Sequence, residues 1–426
     1  MKLKGKLALD HYVGAPLAWA LNIVARIVSS VIKRDHSLTK PPRTILFTKY
    51  LGLGSIVRAS FLISAAKRTY PDAKIAFATF PGCAALAKMY DDVDEVLVVR
   101  ENKARTLFSD TVKLLLWCWK NKVDLVVDLE VHSKYSSLIA ACSLARDRAG
   151  FGGITSRFRS GLYSHLVYWN PIRFVDHAYR QLGAAIKLDM SEPAPVPSVT
   201  LESRLEMEEY LKRIGVKDGD ILFGINPNSS DLRTERKWPL EHFAKVIEAL
   251  PEKDTLHVML LGSPAERSYT EKLLAACPKA KVKVHNCAGD LPFPAFCALL
   301  TRLSLLLTND SGPMHLARAF GVPTVTLWGP THPLVYSPRG KDNISLYQPI
   351  YCSPCTHFSD VPPCGGDNQC LKRLSWKRAA RACFKMLEIP LTEELVHAKK
   401  AEDPESMVYG HWPREAFSSR GEDASS

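Results

Sequence analysis

Acidic residues are scarce in this chain. Against 56 Lys and Arg stand 44 Asp and Glu in 426 residues, a formal charge of +12 and a pI near 9.1. Such an imbalance points to an anionic partner: nucleic acid, an anionic membrane or a phosphorylated substrate. There is no zinc-finger spacing with paired histidines, no RNP-like aromatic strand and no basic-zipper pattern, so nucleic acid is not the expected partner. Low-complexity tracts and internal repeats are absent too. The apolar run nearest to bilayer length, Leu17 to Ile32, starts beside Pro16 and is broken by Arg26, too short and too polar to span comfortably. No convincing cleavable signal precedes it. The 11 cysteines are scattered and odd in number, which suits a reducing cytosol better than a disulfide scaffold.

The length is enough for two domains with full cores, and 46% hydrophobic with 23% charged residues is ordinary for a soluble globular chain. Residues 1–40 read as an attachment. Lys2, Lys4 and Lys6 precede a stretch in which Leu17, Leu21, Val24, Ile27, Val28 and Val31 share one helical face. Asn22, Arg26, Ser29, Ser30 and Lys33 share the other, and Trp19 stands near their boundary. This pattern predicts a basic amphipathic helix on an anionic membrane surface; a helix packed on the protein's own surface is the alternative.

The densest chemistry lies in Leu305 to Pro333, LLLTNDSGPMHLARAFGVPTVTLWGPTHP. Three leucines run into a polar turn, a helical pattern follows from Met314, Gly321 and Pro323 stop it, and Thr324 to Trp328 reads as the next strand. In such a β-α-β unit the helix N-terminus offers free N–H groups to an anion. Asp310, Ser311 and His315 add a carboxylate, a hydroxyl and an imidazole, and Gly312 lets a ligand approach the backbone. An N-cap box with a buried histidine is the plainer reading.

This block, with TNDSGPMHLA, the GVP step and the WGPTHP ending in order, resembles the signature of the heptosyltransferase family, glycosyltransferase family 9, whose members build the lipopolysaccharide core. The resemblance covers roughly residues 44 to 385. It implies an α/β protein of two Rossmann-like doubly wound domains, the glycosyltransferase-B fold. The acceptor is then expected in an N-terminal domain, residues 41–197. The nucleotide-sugar donor is expected in a C-terminal domain, residues 198–390, with a Cys-rich segment at 352–370 and a polar tail at 391–426.

In the first domain, strand Ile45 to Phe47 meets the loop Lys49 to Ser55 and a helix from Ile56. The family carries an aspartate after the second glycine of this loop, thought to be the general base. Here Ser55 follows Gly54, and a serine has no useful proton affinity near neutral pH. The apolar strand from Val123 delivers Asp128 and Glu130 near its end, before His132 and Lys134. Glu130 is therefore the expected replacement base, with His132 second and Lys134 on an acidic acceptor; capping of the following helix by Asp128 and Glu130 is the alternative. Six arginines between Arg146 and Arg180, interleaved with aromatics, suit an acidic acceptor or a solvated face.

In the second domain the resemblance maps Arg236, two residues before Trp238-Pro239, to the donor's diphosphate, Glu266 to the ribose, and Asn228 to the small-residue loop before them. Cys352, Cys355, Cys364 and Cys370 raise a structural zinc as an expectation, although their gaps match no standard site; no catalytic metal or other cofactor is expected. A last helix, Ser375 to Leu387, is expected to pack against the first domain. The function these expectations compose is inverting transfer of a sugar, heptose from ADP-heptose, to a lipid-linked cell-envelope glycan by a cytoplasmic enzyme peripheral to the inner membrane. A non-catalytic nucleotide-sugar-binding protein and a nucleotide-sugar epimerase are the alternatives.

Overall fold

The computed structural model describes residues 10–31, 33–229, 234–359, 362, 364–396 and 408–409. Lys2, Lys4 and Lys6, Ser230, Arg233 and most of the 391–426 tail lie outside them. The chain divides into two compact units, Met1–Glu209 with Leu291–Leu299, and Tyr210–Asp290 with Leu300–Ser426. The dividing point falls inside the helix Leu201–Arg213, later than the expected boundary at Pro197.

The first unit is built on β1 (Thr44–Thr48), β2 (Lys74–Thr79), β3 (Glu95–Val98), β4 (Leu125–Asp128), β5 (Asp147–Gly152) and β6 (His165–Tyr168), in the order β3-β2-β1-β4-β5-β6 and parallel throughout. β1 and β4 are buried along their whole length, as strands covered on both faces must be, and both read as apolar runs. Ala15–Val31 (α1), Leu53–Thr69 (α2), Ala104–Lys120 (α3) and Lys134–Cys142 (α4) are helices of this unit. α2 begins three residues before the expected Ile56. Gly52, at φ +93°, takes the left-handed conformation that a side chain disfavours and launches the helix at Leu53.

The second unit has β7 (Ile221–Asn226), β8 (Leu256–Leu260), β9 (Lys283–Asn286), β10 (Leu305–Asn309), β11 (Thr324–Trp328) and β12 (Asn343–Tyr347), all parallel. Val408–Tyr409 (β13) adds an antiparallel edge, giving β13-β12-β11-β10-β7-β8-β9. Gly312–Ala319 (α5) follows β10, and Trp376–Met386 (α6) closes the unit. Here one expectation is corrected. α6 belongs to the second unit's own core: Ala379, Ala380, Cys383 and Phe384 pack into a cluster with Phe243, Leu305 and Leu346. The apolar stripe of α6 matches that surface, and the Trp238 indole N–H fixes the approach by donating to Leu374 O (3.0 Å).

In each unit strand order reverses once, between β1 and β4 and between β7 and β10. At such a switch point two adjacent strands send their loops apart and leave a notch at their C-terminal ends. In the first unit the notch floor is a buried charge pair. Asp128 Oδ2 lies 3.2 Å from Arg159 Nη2, and both side chains are fully buried. Thr48 Oγ1 (2.9 Å) and Ser136 Oγ (2.8 Å) also donate to this carboxylate, as does the Tyr163 hydroxyl. Arg159 donates in turn to the carbonyls of Glu130, Ser133 and Phe151. Removing one partner strands the other charge, so Arg159→Met is expected to cost about 3–5 kcal/mol, measured as the shift in the urea unfolding midpoint at constant slope.

Candidate active site

The loops leaving β7 and β10 meet at the second unit's notch. Asn309 spans them: its Nδ2 donates to Pro227 O (2.8 Å), and its Oδ1 accepts from the Trp238 backbone N–H (3.1 Å). Asn226 Nδ2 donates to Ser311 Oγ (2.9 Å) and Thr308 Oγ1 (3.1 Å). With Ser311 so engaged, its side chain makes no cap hydrogen bond to α5. The first-turn N–H groups of that helix therefore keep their capacity to bind an anion.

Asp310 is buried at this helix start. Its Oδ2 accepts from Arg236 Nη1 (3.1 Å) and Thr331 Oγ1 (2.8 Å). Burial alone pushes its pKa up; the Arg236 guanidinium and His315 outweigh burial and hold the carboxyl below its usual range. Asp310 is thus anionic and directs the Arg236 fork. Asn228 is 2% exposed, and among the described residues neither its amide nitrogen nor its oxygen has a hydrogen-bond partner. An orphaned buried amide is costly and marks a place where a polar ligand completes the structure. Gly262 makes room for it, since a Cβ there would lie 3.1 Å from Asn228 Nδ2.

Glu266 Oε2 accepts from the Ser263 backbone N–H (2.7 Å) and hydroxyl (2.8 Å), a capping box that opens a short helical turn. The four cysteines share one region, and the Cys355 and Cys370 thiols are both raised, chiefly by burial and also by their neighbours. Among the described residues, no group of three His, Cys, Asp or Glu is arranged to hold a metal ion.

In the first unit the notch is filled by its own side chains. Glu130 lies just beyond β4 and reaches the loop after β1. Its Oε2 accepts from Lys49 Nζ (2.8 Å), and its Oε1 accepts from the N–H groups of Tyr50 (2.8 Å) and Leu51 (3.2 Å). Burial pushes the Glu130 pKa up, but Lys49 and these N–H groups overcome it and leave it lowered. Glu130 is therefore a weaker base than the sequence reading assumes, because its lone pairs and charge are already committed to the loop that carries Gly54 and Ser55. Ser55 itself sits in the first turn of α2, its N–H donating to Gly52 O (3.0 Å). His132 is exposed. Lys134 is paired with Asp10 (3.8 Å), whose carboxylate also accepts from the N–H groups of Lys134 (3.1 Å) and Tyr135 (2.8 Å) at the start of α4. Asp128 accepts from the Glu130 N–H (3.0 Å) and caps no helix N-terminus with it; Ser133 caps α4 instead. Of the arginine group, Arg159 is fully buried, Arg146 and Arg148 are tied to backbone carbonyls, and Arg157, Arg173 and Arg180 are exposed.

The profile of glycosyltransferase family 9 (heptosyltransferase) matches residues 119–364. The chain belongs to this family. It is a glycosyltransferase of the lipopolysaccharide heptosyltransferase group. It is 30% identical over 237 residues to lipooligosaccharide heptosyltransferase 2 of Campylobacter jejuni, covering 53% of this chain and 72% of that protein. The family's two-domain fold is matched by the glycosyltransferase family 9 structure from Veillonella parvula, at TM-score 0.67 and 21% identity over 84% of this chain and 99% of that one. The ADP-heptose LPS heptosyltransferase II of E. coli gives TM-score 0.65 and 19% identity over the same shares.

Asn226, Lys49, Thr331 and Asp10 escaped sequence reading. Lys49 and Thr331 lie inside motifs already singled out, where a charged residue at a strand end and a threonine beside a GP turn were the available signals. Nothing local marks Asp10, whose partner is 124 positions away.

The Lys49–Glu130 pair makes a definite prediction. Lys49→Met and Glu130→Gln each destabilise the chain, and the double variant loses less than their sum, with a coupling of about 0.5–3 kcal/mol in a double-mutant cycle. The sign of the pH dependence follows from the shifts. Glu130 is lowered, so its contribution is complete above its ordinary value of 4.5 and is lost as pH falls through the folded value. Lys49 is raised despite burial, through Glu130, so its share is complete below 10.5 and is lost as pH rises past the folded value. Urea titrations between these limits should show the coupling at full size.

Proposed function

We propose that this glycosyltransferase moves heptose from ADP-heptose to a lipid-linked cell-envelope glycan with inversion at the anomeric carbon, and that it works at the inner face of the cytoplasmic membrane. The observation that carries the donor assignment is the second unit's notch. There Arg236, held by Asp310, the uncapped start of α5 and the unpaired Asn228 amide converge on what a nucleotide diphosphate brings, namely negative charge and many acceptor oxygens.

The bond between the anomeric carbon and the diphosphate oxygen breaks, and charge grows on the leaving diphosphate. Arg236 and the N–H groups of α5 meet that charge more strongly than they meet the intact donor, which is how they lower the barrier. Asp310 touches no departing atom in this scheme; it aims Arg236 and, with Thr331, keeps the guanidinium from folding away. His315 sits on the same helix start as a further donor to phosphate oxygen, and Glu266 is placed on the ribose side by family resemblance. The acceptor hydroxyl attacks from the opposite face, and its proton passes to solvent water as the new bond forms. Glu130 is assigned the task of positioning the Gly52–Ser55 loop for that acceptor.

A second reading, nucleotide-sugar binding without transfer, is favoured by one observation: Ser55 stands where the family has its carboxylate, and Glu130 is already engaged by Lys49 and the Tyr50 N–H.

Calorimetry with ADP-heptose, UDP-sugars and GDP-sugars is expected to give binding selective for ADP-heptose. Asp310→Ala and Asn228→Ala should each weaken it roughly ten- to a hundredfold. Transfer to lipid-linked acceptor, followed by mass spectrometry, separates the two readings, since binding without product sinks the transferase. In that assay Glu130→Gln should raise KM for the acceptor and leave the pH profile of kcat in place. Loss of the acid limb of that profile would instead make Glu130 the base.

A further inference from the structure

We infer that the outer faces of α1 and α3 together form a docking surface for an anionic lipid bilayer, an inference that deepens the reading of the chain as a transferase acting on a lipid-linked acceptor.

The first observation is that α1 is seated on the first unit through Asn22, which is buried, and through bonds of the exposed Arg26. Asn22 is 2% exposed, and its Nδ2 donates to Phe158 O. Arg26 Nε donates to Asn22 Oδ1 (2.9 Å), and its guanidinium also donates to Ser160 Oγ. Ala18 is fully buried, and Leu21 and Ala25 pack on the first unit's core. What faces outward is Leu17, Trp19, Ile23, Val24, Ile27 and Val31, between 50% and 78% exposed. A helix that ends in water places its side chains the other way round. One residue departs from the sequence reading: Leu21, expected on the apolar face, packs on the core instead.

The second observation is independent of that segment. α3 exposes Phe108, Val112, Leu116 and Trp119, spaced four, four and three residues apart and therefore on one stripe. Its opposite side, Leu114 and Cys118, is buried in the same core cluster that receives Leu21 and Ala25. α4 packs against both helices, so the two stripes lie on one side of the sheet. They are joined at one end. A hollow of about 640 Å³ is lined by Arg34, three residues past the end of α1, and by Trp119, the last member of the α3 stripe. The Trp119 indole N–H donates to Cys142 O at the end of α4 (2.9 Å), which fixes that corner.

Charge decides the occupant. α1 contains no acidic residue, and the one carboxylate of α3, Asp110, is buried and bound bidentately by Arg100. Arg105, Lys113 and Lys120 are exposed on α3. The hollow adds Arg34, Lys40 and Lys122 against Asp35 and Asp124, with Arg146 beside them paired to the buried Asp147 (2.7 Å). Apolar side chains with cations beside them and no free carboxylate on either helix match the boundary of an anionic bilayer, where the apolar groups enter the acyl region and the cations meet lipid phosphates. A second copy of the chain would bring the same cations face to face across a twofold axis.

The test uses the full chain in sedimentation with vesicles of phosphatidylcholine containing about one quarter phosphatidylglycerol, and with phosphatidylcholine alone. The wild type should pellet with the anionic vesicles and far less with the neutral ones. Ile23→Glu with Ile27→Glu on α1, and separately Phe108→Glu with Leu116→Glu on α3, should each cut the partition coefficient roughly tenfold or more, with ADP-heptose binding unchanged as the check on folding. If the α3 pair binds vesicles as the wild type does while the α1 pair fails, the surface is α1 alone and the inference falls. Equal pelleting with neutral and anionic vesicles overturns the charge argument. A wild-type dimer that these variants split assigns the surface to a second copy and overturns it as well. A chain that binds ADP-heptose yet ignores all vesicles defeats this inference and spares the transferase, whereas vesicle binding without any donor binding defeats the transferase reading alone.

Discussion

Everything that positions chemistry in this protein follows from one constraint: where the strand order of a parallel sheet reverses, two neighbouring strand ends leave a polar notch that something has to satisfy. The two units answer it differently. Between β1 and β4 the chain supplies its own partners, Asp128 against Arg159 and Glu130 against Lys49 and two loop N–H groups. Between β7 and β10 it stops short. Asn309 and Asn226 tie the loops together, but the Asn228 amide is buried with no partner among the described residues, and the first turn of α5 has no side-chain cap. The same topology thus gives a notch that is internally satisfied in one unit and one with a buried amide left without a partner among the described residues in the other.

That contrast explains which parts of the molecule were legible in the sequence. Strands buried on both faces announce themselves as apolar runs, and β1, β10 and β11 are found within two residues of where those runs stand. Part of the second unit's notch was legible as well, because Asp310 to His315 are contiguous in a strand-turn-helix whose residue types state their chemistry, whereas Asn226 and Thr331 join it from other segments. The first unit's notch was not. Lys49 and Glu130 are 81 positions apart, and a carboxylate free to take a proton looks the same in sequence as one already held by an ammonium and two N–H groups. On α1 the apolar stripe lies outward, as a helix resting on a surface requires, except that Leu21 turns to the core. What periodicity could not give is how the helix is seated, because Asn22 and Arg26 find their partners 136 and 134 positions away.

The last helix shows the limit of fold-level analogy. Its alternating small and apolar residues specify a close-packed partner, and in this chain the second unit's own sheet provides it. Resemblance supplied the existence of the helix; the surface on which it rests came only from the side chains.

The seating of Asp10 gives the N-terminal segment a mechanical character. Its carboxylate holds the opening N–H groups of α4, while Asn22 and Arg26 hold the loop at Phe158 and Ser160. A segment fastened to α4 at one end and to the turn at Phe158 and Ser160 at the other is held in one orientation on the first unit. Whatever it rests on fixes the tilt and azimuth of the first unit as a keel fixes a hull, and the sheet's C-terminal edge then stands at a set height and heading above that support.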